Sequence, residues 1–189
     1  EIEIALGLHP DDPAAVLAAA RPITSGKRAC AEVPHMTWGL LLAPLVARGE
    51  LDTADDWHRR GLRLCEGNPE YLATMAFHLA YATARGDLTG AHGIFERTVA
   101  WAAESRVPER RFRFFVAAHH FVAALAGRGA VARLRLPREL APWREDGAYD
   151  AGALAAWLGG EARAIAAEFD ARNGTDRYRR LAEAPPLAI

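Results

Sequence analysis

Between Pro34 and Pro108 the apolar positions fall into helical stripes separated by glycine. The stretch MTWGLLLAPLVARG, residues 36–49, carries Trp38, Leu41, Leu42, Leu45 and Val46. That is close to the i, i+3, i+4, i+7, i+8 spacing of a helix turned towards a core. Pro44 lies inside it and predicts a kink or a local loosening. Gly49 ends it. The next helix spans about Ala54–Glu66, with Asp52 or Thr53 as its cap and Trp57, Leu62 and Leu64 as its apolar positions. Gly67-Asn68-Pro69 ends that one. EYLATMAFHLAYATARG then reads as a helix closing at Gly86, and LTGAHGIFERTVAWAAE as its partner, running to Glu104. SRVP closes the unit at Pro108, and RRFRFFVAAHHFVAALAG continues as a further helix to Gly127.

The flanks are less regular. Residues 1–8 look like a helix end, and Asp11 or Asp12 can cap a new helix whose first turn accepts Pro13. That helix is expected to stop near Ala20, because Pro22 and Gly26 break the pattern, and a short helix to Glu32 follows. Beyond Gly127, AVARLRLPREL alternates in a way that suits a short extended segment, and EDGAY reads as a turn. Asp150 to Ala171 reads as one helix, interrupted or bent at Gly159-Gly160 and ended by Asn173-Gly174. A final helical turn precedes PPLAI.

Composition sharpens the fold class. Half of the chain is apolar, which allows a core. Ala and Leu dominate, and both lead the helix propensity scale, so the expected class is all-α. A formal net charge of −1 disfavours bulk attraction to nucleic acid or membranes. Cys30 and Cys65 both fall in helical segments and read as buried hydrophobes in a reducing compartment, with a disulfide between them as the alternative. No run approaches the roughly 20 apolar residues of a membrane span, and no signal peptide is evident. A cytoplasmic protein is therefore expected. The repeat-like start at Glu1, without Met, suggests a piece of a longer array.

ARGELDTADDW, residues 47–57, and ARGDLTGAHGIF, residues 84–95, share Ala, Arg, Gly, an acid and Leu in order, at an offset of 37 residues. Units of that length, each closed by proline, are the signature of stacked helical hairpins. The pattern resembles a tetratricopeptide repeat, in which a small residue closes the first helix and another begins the second. Gly49 and Ala54 fit the first unit, together with Trp38 and Leu41; His58 stands where an aromatic is expected. Gly86, Ala91 and Phe95 fit the second, while Met75 and His78 replace the early tryptophan and leucine. The resemblance implies a right-handed α-α superhelix of such hairpins with a degenerate C-terminal helical cap. It divides the chain into a partial N-terminal repeat over 1–33, two repeats over 34–108, and a degenerate third hairpin with a cap helix over 109–189. LRLPREL, REDGAYD and FDARNGTD are loosely similar to the tails of uncharacterised bacterial proteins of this family, with no activity to carry over.

The resemblance implies that the first helices of the hairpins line a concave face that receives a peptide or a partner protein. On this chain that face includes Met36, Gly39, Ala43, Ala47, Ala76, Ala80 and Thr83, with Arg113, His119 and His120 from the next helix. The first seven are small or uncharged. The Lys/Asn set that clamps a carboxylate in some members is absent. Such a groove admits an apolar helix or strand; equally, neighbouring helices fill it. Self-association stays open.

The strongest charge feature is Arg106, Arg110, Arg111, Arg113, Arg128, Arg133, Arg135 and Arg138, against Glu109 and Glu139, interleaved with Phe112, Phe114 and Phe115. Arginines beside aromatics bind phosphate and stack on bases, so an RNA- or nucleotide-binding module using 106–138 is the second reading. The plain alternative is a solvated face with its phenylalanines in the core. His119 and His120 are adjacent on a helix and point about 100° apart, and neither has a ligand at i±4, so no metal site is expected. Residues 172–178, RNGTDRY, faintly resemble a motif of some helical ribonucleases, but Tyr178 stands near the place of the required histidine. No phosphate loop, nucleophile triad or paired carboxylates appear. The expectation is a scaffold without catalytic residues, cofactor or metal.

Overall fold

The computed structural model describes residues 12–27 and 35–188, and among them the chain is mostly helical. The first helix, α1, spans Pro13–Thr24. The Asp12 carboxylate accepts from the amides of Ala14 and Ala15, as its position before Pro13 requires. The helix runs through Pro22 rather than stopping at Ala20. Pro22 sits in the last turn, where a missing N–H removes only one bond. The short helix expected up to Glu32 and the helix end at 1–8 lie outside the described residues.

Two hairpins follow. The helices α2 (His35–Ala47) and α3 (Leu51–Cys65) pack on each other, and so do α4 (Leu72–Ala84) and α5 (Leu88–Glu104). Both turns are glycine turns for the same reason: Gly49 and Gly86 adopt φ of +73° and +76°, which an L side chain rarely tolerates. An added methyl would touch nothing at either position. Gly86→Ala is thus expected to cost about 1 kcal/mol from backbone strain alone, measured as a shift in urea midpoint at unchanged slope. Ala54 and Ala91, the small residues expected where each hairpin is tightest, are completely buried.

Two local expectations are corrected. Neither Asp52 nor Thr53 caps α3; the helix begins at Leu51 behind Glu50, whose side chain makes no capping bond. Leu64 is 52% exposed, and the buried residues of α3 are Ala54, Gly61 and Cys65. In the second hairpin the cap is made: Asp87 accepts from the Gly90 amide.

The remainder covers one end. Helix α6 (Pro108–Ala126) packs on α4 and α5, and α7 (Ala151–Asn173) lies along α6. Between them, strands β1 (Val131–Arg133) and β2 (Ala148–Asp150) pair antiparallel, Ala132 opposite Tyr149, where alternation suggested an extended segment. α7 is unbroken through Gly159-Gly160. Gly159 serves close packing instead: a Cβ there would come within 3.0 Å of the His119 ring. Gly174, at φ +64°, ends α7, and α8 (Arg177–Glu183) packs back on it. Asp170 ties this corner, accepting from the Thr175 hydroxyl and from the amides of Tyr178 and Arg179. That is helix-cap chemistry, and Tyr178 stacks on Phe169 at 4.4 Å.

The largest core runs from α4 to α7 and includes Phe95, Phe112, Phe114, Phe115 and Phe121. Smaller cores join α1 to α2 through Val16, Ala20 and Leu41, and α2, α3 and α4 through Leu42, Leu45, Ala54 and Tyr81. Among the described residues no helix is long and apolar enough to cross a membrane.

Candidate functional site

The first helices of the successive hairpins lie side by side: α2 packs on α4, and α4 packs on α6. The face they share is the one expected to form a groove. A one-turn 3-10 helix, Pro186–Ala188, crosses it, contacting mainly α4 and also α2 and α6. Leu187 of that turn faces Gly39, Leu40, Leu42 and Ala43 of α2, and Phe77 and Ala80 of α4. It packs against both the large core and the smaller α2–α3–α4 core. The cavity left beside it has a volume of about 10 Å³, at the lower limit for a single water. Leu187 therefore fills its seat.

The seat exists because its walls are small. A Cβ on Gly39 would stand 3.1 Å from the Thr74 methyl and 3.5 Å from the Phe77 ring. Ala80 is buried, while Ala43 and Met36 are half-buried. Arg113 closes one side, its guanidinium 5.1 Å from the centre of the Phe77 ring and its Nε paired with Glu109. His120 is half-buried, and its pKa is lowered by burial and by the neighbouring His119; the backbone of Ala184, just before the prolines, opposes the shift. Its Nε2 is buried without a hydrogen-bond partner among the described residues.

Not every residue expected on this face belongs to it. Thr83 is buried, and its hydroxyl donates to the Leu79 carbonyl inside α4. His119 turns towards α7, where its Nδ1 lies 2.8 Å from the Ala155 carbonyl. Gly39, Ala43 and Ala80 line the seat with Leu187, His120 meets the backbone of Ala184, and Arg113 reaches only the Phe77 ring of that lining. Leu187 itself was not among the expected residues. A lone leucine after two prolines carries no periodic signal.

The arginines of 106–138 are distributed over several surroundings. Arg110 pairs with Glu70 at 2.7 Å, and Arg111 approaches Glu161 at 3.8 Å. Arg138 covers the Trp143 ring at 4.8 Å, while Arg106, Arg128, Arg133 and Arg135 are exposed. Phe112, Phe114 and Phe115 are all in the core. Among the described residues no group of three or more His, Cys, Asp or Glu is placed to hold a metal ion.

A second constellation was foreshadowed only as two departures from the repeat pattern. His58 of α3 and His78 of α4 meet, Nδ1 to Nδ1, at 3.1 Å. One must donate and the other accept, so the contact requires the accepting ring to be neutral and is lost when both rings are protonated. Tyr81 lies 4.9 Å from His58, ring centre to ring centre, and donates a short 2.5 Å hydrogen bond to Asp55. Gly61 makes room: a Cβ there would collide with the His78 ring at 2.7 Å. Burial lowers His58 to about 4, against the raising effect of Asp55 and Asp87. His78, completely buried, is lowered well below its ordinary value by burial and by His58. His78 is buried and His58 half-buried between the helices, and the pair forms a titratable contact between α3 and α4. No protein-family model, curated protein or solved structure matches this chain.

Proposed function

We propose that this chain is a protein- or peptide-binding scaffold without catalysis, built from tetratricopeptide-like hairpins stacked into a right-handed superhelix and working inside the cell. The binding surface is the face of α2, α4 and α6 lined by Gly39, Ala43 and Ala80. One observation carries this reading: a short apolar segment of the chain, a single 3-10 turn, lies across that face with its leucine between the helices. A face that accepts a one-turn segment by side-chain insertion has the requirements of a peptide groove, with a pocket for an anchor residue between small walls. The pairing order fits the stacking of hairpins, since each first helix contacts its own partner and the next first helix.

The nucleic-acid reading draws less support. Base stacking needs exposed rings, whereas the three phenylalanines of 112–115 are buried and several arginines are engaged by acids or aromatic rings.

Selection from a random peptide library displayed on phage tests the proposal. Ala43→Arg places a long cation on a half-buried wall of the groove. The parent chain is expected to enrich leucine-containing apolar peptides, and Ala43→Arg is expected to lose at least tenfold in their capture. No enrichment, or equal capture by both, would overturn the proposal.

A further inference from the structure

Segment 184–188 has the sequence APPLA. Pro185 and Pro186 carry no N–H and have a fixed φ, so Pro185 ends the chain's helical course after α8 and Pro186 opens the one-turn 3-10 helix that carries Leu187 to α4 at little entropic cost. α8 stops just before them, with the Ala184 amide bonding back to the Leu181 carbonyl. Leu187 is half-buried, although its seat is fully occupied. Leu187 is thus the side-chain anchor of a short tether, which the Ala184 backbone also holds beside His120. The tether starts at α8, which packs mainly on α7 and touches α6 through Tyr178 against Phe112.

We infer that segment 184–188 is an internal stand-in for the groove's ligand: the external partner presents a short apolar peptide with a leucine in a single turn after two prolines, and the chain's own segment must leave before that peptide enters. This rests on the groove reading above and adds to it the ligand class and a built-in competitor. Two features favour such a peptide over a longer helix. The seat takes one leucine, and the occupant that fits it is a single proline-led 3-10 turn. Competition by a tethered segment weakens external binding by the factor with which the segment occupies the seat. Removing its anchor therefore strengthens external binding without altering the walls.

A fluorescein-labelled peptide, EAPPLA, is titrated into the parent chain, Leu187→Ser, and Leu187→Ser combined with Ala43→Arg, with circular dichroism confirming the fold of each. Leu187→Ser is expected to bind about tenfold more tightly than the parent, and the combined variant to lose that gain. Equal affinities of parent and Leu187→Ser, or binding indifferent to Ala43→Arg, would overturn the inference. So would parent chains that dimerise by exchanging the segment, seen by analytical ultracentrifugation, because the occupant would then be a second copy. If EAPPLA fails to bind while library-selected peptides still bind in an Ala43-dependent way, this inference falls and the groove reading stands. If the selection fails too, both fall. Should Leu187→Ser not fold, loss of the Leu187 methyl contacts to Ala80 on adding EAPPLA to the parent chain decides the matter; unchanged contacts at saturating peptide would overturn the inference.

Discussion

Lowering the pH from 7 to 4 is expected to remove about 3 kcal/mol of stability through His58 alone, taking about 1.36 kcal/mol per pKa unit between the unfolded value near 6.5 and the folded value of about 4. Burial is the main cause of the lowered value, with Arg59 adding to it and Asp55 and Asp87 opposing it. Between the two values the unfolded chain holds a proton that the folded chain does not. Stability thus falls as pH falls through that window and is level above it. His78 adds to the fall in the same direction, because its folded pKa is also well below the ordinary value. Urea unfolding at a series of pH values measures the effect. His58→Phe combined with His78→Leu is expected to remove most of the difference between pH 7 and pH 5. A parent chain equally stable at pH 7 and pH 4.5 would contradict this.

Phe95→Ala is expected to cost roughly 3–5 kcal/mol, the range for emptying a buried aromatic site. Phe95 is completely buried. Its ring lies 5.9 Å from Phe114, stacked, and 5.5 Å from Phe121, so it joins α5 to two turns of α6. Both distances fall in the range where aromatic pairs add to simple burial. Against a total stability of roughly 5–15 kcal/mol, the loss is large. For a chain of this size it should lower Tm by at least about 6 °C. Thermal unfolding by circular dichroism checks this, and a shift below about 3 °C would show that α6 closes over the gap.

These two sites also show what could be read from residues alone. An offset of 37 residues carries His58 onto Phe95 and His78 onto Phe115, and both phenylalanines are buried. The substitution of two histidines at apolar positions was visible as a departure from the pattern. Their contact was not, because periodicity assigns a face and not a partner. Helix ends were legible wherever glycine or proline dictates the backbone, as at Gly49, Gly86 and Gly174. They were misread at Pro22, because a proline in a last turn does not end a helix. Hydrophobicity alone places Leu64 in the core, whereas small Gly61 and Cys65 fill the contact beside it. The small residues Gly39, Ala43 and Ala80 on the first helices were legible. The groove's occupant was not, since a segment of two prolines and one leucine has no period to read.

The most direct test is the contact of Leu187 with its seat in solution. Methyl-methyl nuclear Overhauser effects, measured on the labelled full chain, report distances between the Leu187 methyls and those of Ala43 and Ala80. Cross-peaks to both alanines are expected, with Leu187 shifts displaced by the nearby Phe77 ring. Leu187 methyls at unstructured shifts, without cross-peaks to either alanine, would contradict a face that receives an apolar chain segment.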